Sequence, residues 1–90
     1  MWDVFEKKSI QKVIKKAPNE VIDSYEAWKR IVEISGPQGL KNIRGFRDEA
    51  LKGEWKRYRS SRLGIQWRVI YKINGEVLEV YDFEITPHKY

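Results

Sequence analysis

The sequence predicts a single α+β domain in which an N-terminal strand and an αα-hairpin pack on an antiparallel sheet of three further strands. Two observations lead to this prediction. Apolar residues recur at helical spacing before Gly36-Pro37, and three segments of strand character follow Gly53. A chain of 90 residues buries only about 60 to 65% of the surface that its unfolded form exposes, so it can hold one modest core. We therefore treat residues 1–90 as one domain.

The first half of the chain contains a short strand and two helices. Residues 1–6 alternate between apolar and polar types, which is typical of a strand. From Lys7 the apolar spacing becomes i, i+3, i+4, i+7, which predicts an amphipathic helix that Pro18 ends. A second helix is predicted to begin with Asn19 as its N-cap and to stop at Gly36-Pro37. The apolar stripes are Ile10, Val13, Ile14 and Ala17 in the first helix, and Val21, Tyr25, Trp28 and Val32 in the second.

The second half contains a loop and then the sheet. Residues 37–53 hold three glycines and no sustained period, so we predict a loop with room for one turn of helix. The predicted strands are Trp55 to Arg62, Ile65 to Ile73, and Val77 to Ile85. Asn74-Gly75 is a strong hairpin signal, and a two-residue turn there would place Arg68 opposite Tyr81.

Alternation sorts the side chains of the middle predicted strand. Those that should face the helices are Ile65, Trp67, Val69, Tyr71 and Ile73, whereas Gln66, Arg68 and Lys72 should face away. On the preceding strand, periodicity does not choose a face, because either set of side chains contains two cations. Trp67 and Tyr71 are predicted to be core residues. Trp55 and Tyr81 fit either a core or a surface on which bases stack.

Charge is distributed unevenly along the chain. The net charge of +5 comes from residues 40–72, which contain ten Lys or Arg and three Asp or Glu, beside a C-terminal segment, residues 73–90, with one basic and four acidic residues. Such a basic block is typical of a surface that meets a polyanion, and RNA is the polyanion that we expect.

Other function classes are excluded by composition. The chain has no cysteine and one histidine, His88, so neither a disulfide framework nor a zinc site of the usual ligands is expected, and no cofactor is implied. No apolar run has the length of a membrane span or a signal peptide. We expect a cytoplasmic protein.

The residue types present can cleave a phosphodiester without a metal. Attack by a ribose 2′-hydroxyl needs a base, cations around the phosphate and an acid for the departing oxygen. Carboxylates stand at Asp48 and Glu49, and the C-terminus holds His88 and Tyr90. Arginines that could surround the phosphate are Arg57, Arg59 and Arg68. Each of these residues also has a purely structural explanation, such as an ion pair between Arg68 and Glu79.

Short motifs in the second half resemble the RelE superfamily of bacterial toxins. They are Glu49-Ala-Leu-Lys-Gly-Glu-Trp55, Arg59-Ser-Ser61, Trp67-Arg-Val-Ile-Tyr71 and the closing His88-Lys-Tyr90. The sequence departs from the family pattern in three places: Trp67 replaces a tyrosine, Lys89 splits the terminal His-Tyr pair, and the loop at Leu63-Gly64 is slightly longer.

The resemblance implies a metal-independent endoribonuclease that cuts messenger RNA in the ribosomal A site and is silenced by a cognate antitoxin protein. It implies that Arg68 contacts the phosphate, that Glu49 is the base, and that His88 and Tyr90 supply the acid. The residues expected to contact RNA are Lys52, Lys56, Arg57, Arg59 and Arg62.

Two alternatives remain at this point. One is a ParE-like protein that inhibits DNA gyrase by binding, and the other is a small nucleic-acid-binding regulator. Neither needs the set formed by Glu49, Arg68, His88 and Tyr90, which is the feature that separates them from a nuclease.

Overall fold

The computed structural model describes residues 1–86, which form helices packed on a five-stranded sheet. The helices are α1 (Lys8–Lys15), α2 (Asn19–Ser35) and α3 (Gln38–Lys41). The strands are β1 (Asp3–Phe5), β2 (Glu49–Ala50), β3 (Arg59–Arg62), β4 (Trp67–Asn74) and β5 (Val77–Ile85). Single turns of 3-10 helix cover Arg44–Phe46 and Gly53–Trp55. The predicted α+β class is confirmed.

The helix ends follow from proline and glycine. Pro18 separates α1 from α2 and is the N-cap of α2. Asn19, which was predicted to be the N-cap, is the first residue of the helix. At the other end of α2, Gly36 has a φ of 78°. A Cβ at that position would lie 2.7 Å from Nε1 of Trp2, so both the backbone and the space require glycine.

The sheet has the order β1-β5-β4-β3-β2, with β1 parallel to β5 and all other pairs antiparallel. It contains one strand more than predicted, because β2 has only two residues and therefore shows no period in the sequence. β3 begins at Arg59 and not at Trp55. The residues before it form the 3-10 turn that Gly53, with a φ of 67°, starts.

The predicted hairpin register is wrong, since Arg68 lies opposite Glu84 and not Tyr81. One cause is the turn. Asn74 pairs with Val77, so the two turn residues are Gly75-Glu76. Gly75 has a φ of 65° and occupies the first central position, where two-residue hairpins of type II′ take glycine.

The second cause is a β-bulge in β5. Tyr71 pairs with Val80 and Ile70 pairs with Asp82, which leaves Tyr81 as an extra residue between the two pairs. Because of this extra residue, Val80 and Phe83 are both buried although they are three positions apart.

The core lies between α2 and the strands β4 and β5. Trp28 is fully buried, with its ring stacked on Tyr25 at 5.6 Å and edge-on to Tyr71 at 5.4 Å. Truncation of such a side chain to alanine typically costs about 3 to 5 kcal/mol. Tyr71 is a core residue as predicted, and Trp67 is partly buried against the core. β4 begins at Trp67 and not at Ile65 as predicted. Ile65 therefore lies before the strand and is 62% exposed, and Ile73, next to the turn at the other end, is 43% exposed.

Candidate functional site

The register of β3 and β4 divides their side chains between two faces of the sheet. Val69 and Tyr71 are buried beneath the helices, and their partners Ser61 and Arg59 share that side. The opposite side, which we call the open face, carries the alternate residues of both strands: Ser60, Arg62, Arg68, Ile70 and Lys72.

Arg68 lies on the central strand of the sheet and is held on the open face by its neighbours. Nε and Nη2 donate to Oγ of Ser60 at 3.2 and 2.8 Å. Nη2 also donates to Oε1 of Glu49 at 3.1 Å and to the carbonyl of Arg47 at 3.4 Å. Within residues 1–86 no hydrogen bond uses Nη1. A ligand oxygen can therefore bind at that amino group.

Glu49 reaches Arg68 from the edge strand. β2 pairs Glu49 with Ser60, which places the carboxylate on the open face. The turn into β2 is tight, because Arg47 adopts a left-handed backbone conformation with a φ of 44°. The Glu49 side chain is 63% exposed, and ion pairs in contact with water contribute only about 0 to 1 kcal/mol to stability. The pair is thus of little use to the fold.

A cleft of about 410 Å³ surrounds the Glu49–Arg68 pair, which is within the size range of ligand sites. Its lining is Glu49, Leu51, Lys52, Trp55, Ser60, Arg68, Ile70 and Glu84. Next to it lies a smaller hollow of about 250 Å³, lined by Arg47, Arg62, Ile65, Arg68 and Thr86. Arg68 borders both. A larger groove of about 620 Å³ between Ser24 and residues 43–47 contains no carboxylate, so it offers less chemistry.

A buried carboxylate on the helix side of the sheet supports the loop that carries Glu49. The Asp48 side chain is 0% exposed and accepts hydrogen bonds from three residues. Arg59 donates to Oδ2 through Nε at 3.0 Å and Nη2 at 2.8 Å. Ser61 donates to Oδ1 at 2.8 Å, and the hydroxyl of Tyr71 donates to the same oxygen. Because Asp48 precedes Glu49 in the chain, this network sets where Glu49 stands.

Two members of this network, Tyr71 and Arg59, have raised pKa values. Burial, together with the hydrogen bond to Asp48, raises the pKa of Tyr71 well above its usual value. Burial is the largest single effect on the pKa of Arg59 and would lower it, but the hydrogen bonds and charge interactions with Asp48 and Tyr71 together outweigh burial and raise it. Tyr71 therefore keeps its proton and Arg59 keeps its charge.

Three aromatic rings form a cluster at the edge of the cleft. Trp55 lines the cleft, and its ring centroid lies 5.2 Å from that of Tyr58 and 5.5 Å from that of Tyr81. The centroids of Tyr58 and Tyr81 are 5.0 Å apart. The ammonium of Lys72, an open-face residue, lies 5.8 Å from the centroid of Tyr58.

The structure brings together some of the site residues that the sequence predicts. Glu49, Arg68 and Lys52 line the cleft, and Arg62 lines the adjacent hollow. Lys56 and Arg57 are exposed in the segment before β3, whereas Arg59 lies on the helix side. His88 and Tyr90, the predicted acid pair, lie outside the described residues.

Three residues of the site were not predicted from the sequence. Ser60 is buried and anchors Arg68, Glu84 lies opposite Arg68 in the cleft, and Arg47 lines the hollow. Arg47 could have been found as part of the basic block. Finding Ser60 and Glu84 requires knowing which residues face Arg68 across the neighbouring strands, and the predicted hairpin register was wrong.

Residues 1–86 contain neither a metal-binding cluster nor a helix that could span a membrane. No group of three or more histidine or acidic side chains is placed to hold a metal ion. None of the helices in this part of the chain has the length and apolar character needed to cross a bilayer.

Comparisons with known proteins identify the fold. No protein-family model matches the sequence, and no curated protein matches it at a significant level. Among solved structures, YafQ from E. coli has a TM-score of 0.73 at 17% identity, covering 94% of this chain and 93% of that one. The archaeal RelE–RelB complex from Pyrococcus horikoshii has a TM-score of 0.74 at 21% identity, covering 97% of each chain. A YoeB/ParE toxin from Agrobacterium tumefaciens has a TM-score of 0.70 at 17% identity, covering 92% of this chain and 97% of that one. This chain therefore has the RelE-like fold.

Proposed function

We propose that this protein is the toxin of a toxin–antitoxin pair and that it cleaves messenger RNA in the ribosomal A site. One observation carries the proposal: Oε1 of Glu49 lies 3.1 Å from Nη2 of Arg68 inside one cleft. A carboxylate can accept the proton of a ribose hydroxyl, and a guanidinium beside it can hold the phosphate that this hydroxyl attacks. The fold supports the toxin role, since the structures that it resembles include a YoeB/ParE toxin and a RelE–RelB complex.

The proposed reaction is an internal transfer. Glu49 takes the proton of the 2′-hydroxyl, and the 2′ oxygen forms a bond to phosphorus. The bond from phosphorus to the 5′ oxygen breaks, and that oxygen receives a proton from an acid. The products are a 2′,3′-cyclic phosphate and a 5′-hydroxyl end. Arg68 stabilises the charge that builds on the phosphate oxygens.

The Glu49–Arg68 ion pair suits this sequence of events. A phosphate oxygen that takes the Nη2 donors of Arg68 replaces Glu49 as their acceptor. The carboxylate is then released as a base next to the phosphate. Planar guanidinium groups bind two phosphate oxygens at once, which also orients the phosphate for in-line attack.

His88 and Tyr90 are our candidates for the acid. Thr86, the last described residue, lines the hollow that Arg68 also borders, so the chain leaves β5 beside the proposed site of cleavage. Either an imidazolium or a phenol can donate the proton that the 5′ oxygen needs.

The RNA backbone on either side of the scissile phosphate requires further cations. Lys52 lines the cleft and Arg62 the hollow, and Lys56 and Arg57 are exposed nearby in the sequence. We propose that these four bind flanking phosphates. Arg59 stays a predicted contact, but its Nε and Nη2 donate to Asp48, which points to a supporting role.

The proposed partners follow from the basic block, residues 40–72. An antitoxin protein with an acidic surface would cover it and keep the toxin silent in the cytoplasm. Ribosomes carrying messenger RNA would be the target once the antitoxin is removed.

The test is induction of the wild-type protein and of Arg68→Ala in bacteria, with transcript ends mapped by primer extension. Wild type should produce cuts within translated frames, and the variant should produce few. A wild type that produces no cuts but inhibits supercoiling by purified gyrase would reject the nuclease in favour of a ParE-like inhibitor.

A further inference from the structure

The aromatic cluster of Trp55, Tyr58 and Tyr81 lies outside the core. Trp55 and Tyr81 are 40% and 45% exposed, and Tyr58 is half-buried. The interplanar angles of 69°, 65° and 59° show edge-on or tilted packing, so the rings support one another without closing into a stack. Large apolar surfaces of this kind on a small protein usually mark a place where something binds.

Two features indicate what binds there. The cluster is continuous with the cleft, because Trp55 belongs to both. It is also bordered by cations: Lys72 lies over the ring of Tyr58, and Lys56 and Arg57 are neighbours of the cluster in the sequence. Exposed rings interleaved with basic side chains are the usual means of holding single-stranded nucleic acid, since bases stack on the rings while cations hold the phosphates.

We propose that Trp55, Tyr58 and Tyr81 form a stacking surface for a nucleobase of the RNA strand, next to the phosphate bound at Arg68. This inference rests on the proposed function, because a base can reach the cluster only if RNA lies in the cleft. Every base has an apolar ring face, so the surface holds the strand in place without selecting a particular base.

The three rings have different parts in this surface. Trp55 offers the largest ring and borders the cleft, so it is the ring on which the base stacks. Tyr58 is contacted by both other rings and by Lys72, which makes it the support. Tyr81 stands at the β-bulge, where an extra residue places a third ring at the cluster without disturbing the core.

The experiment measures binding without cleavage. A short, fluorescein-labelled 2′-O-methyl oligouridylate cannot be cut, because its 2′ oxygen carries no proton. A second strand has the same backbone and no bases. Wild type should bind the strand with bases about 5- to 150-fold more tightly than the strand without them, the range that stacking on one aromatic side chain gives. Trp55→Leu should bind both strands equally, and Trp55→Phe should recover most of the difference.

Two controls separate base stacking from the loss of any exposed ring and from the loss of phosphate contacts. Phe5→Leu removes an aromatic ring that is 51% exposed on the edge strand β1 and does not belong to the cluster, so it should leave both affinities unchanged. The dependence of affinity on salt should be the same in Trp55→Leu as in wild type, because no phosphate contact is lost.

Several results would overturn the inference. One is a wild type that binds the two strands equally, or binds neither of them. Another is a Trp55→Leu variant that still prefers the strand with bases. If Trp55→Leu changed only the oligomeric state in sedimentation, the cluster would be a contact between copies of the chain and the inference would be rejected. Transcript mapping is a separate measurement, so a failure of cleavage and a failure of base stacking can be told apart.

Discussion

Arg68 contacts two strands and a loop, yet one of its amino groups makes no hydrogen bond within residues 1–86. Arg68→Ala should lower the single-turnover cleavage rate on programmed ribosomes by about 10² to 10³, the usual loss for one donor to the transition state. Arg68→Lys should recover only part of this, because an ammonium lacks the planar fork. Ribosome binding should weaken much less, since other cations share the phosphate attraction. An unchanged rate per folded molecule, together with a lower melting temperature, would make Arg68 a purely structural residue.

Asp48 and Glu49 are adjacent carboxylates, one buried and one exposed. Replacing Asp48 should lower stability, and replacing Glu49 should lower the cleavage rate. Removing one partner of a buried ion pair costs about 3 kcal/mol or more, so Asp48→Ala should lower the Tm by roughly 12 °C or more. Glu49→Gln should leave the Tm almost unchanged, because Glu49 is 63% exposed. It should slow cleavage by about 10² to 10⁴, as expected for the loss of a general base. Thermal unfolding and single-turnover kinetics on both variants check this, and a Glu49→Gln protein with full activity would remove Glu49 from the mechanism.

At the scale of the elements, a helix or strand could be predicted when it was long enough for its apolar residues to repeat regularly. α2 and β5 are long and periodic, and the bounds of β5 were predicted as Val77 to Ile85. β2 has two residues, so no pattern could reveal it. The register was missed because a bulge inserts one residue without changing the composition of the strand. Ser60 and Glu84 acquire their roles through pairing across strands, and Asp48 through hydrogen bonds to side chains of β3 and β4. Hydrophobic periodicity encodes neither.

The β-bulge makes a specific prediction about β5. Deleting Tyr81 would join the two parts of the β4–β5 ladder into one regular register, in which Val69 still faces Phe83 and Tyr71 still faces Val80. The fold should therefore survive, with a change in Tm of less than about 8 °C, equivalent to about 1 kcal/mol. Base-dependent binding of the uncleavable strand should fall as it does in Trp55→Leu. Loss of folding would show that the bulge is needed for the sheet itself.

The proposed acid pair follows β5 in the sequence, so its role can be tested by truncation. β5 ends at Ile85, and terminal residues beyond a strand seldom hold a core. Deletion of His88 to Tyr90 should therefore abolish cleavage on programmed ribosomes while the circular dichroism spectrum and Tm stay near those of wild type. Full activity in the folded, truncated protein would exclude His88 and Tyr90 as the acid.

At the scale of the whole molecule, charge divides the open face in two. The residues that β5 places opposite Lys72, Ile70 and Arg68 are all acidic: Glu79, Asp82 and Glu84. The cations Lys52, Arg62 and Arg68 lie at the cleft and the hollow beside it. Under the proposed function, the phosphates of an RNA strand should follow the half formed by β2, β3 and β4, and β5 should contribute the ring of Tyr81 rather than phosphate contacts.

The same division predicts how an antitoxin associates. The association rate should fall as salt is added, because steering by the basic block is screened beyond about 8 to 10 Å at physiological ionic strength. Replacing Lys56 and Arg57 by glutamine should lower the rate at low salt in stopped-flow measurements. The matched replacement of Lys15 and Lys16, at the end of α1 and outside the block, should change it less. A rate that does not respond to salt would reject electrostatic steering.

The parallel pairing of β1 with β5 has a consequence for the order of folding. Asp3 pairs with Val77, 74 positions further along the chain, whereas β4 and β5 are joined by a two-residue turn. Because closing a long loop costs more conformational entropy than closing a short one, we expect the β4–β5 hairpin to form early and β1 to join the sheet last. Glu49 and Arg68 meet across β2, β3 and β4, so the cleft can form before β1 is in place.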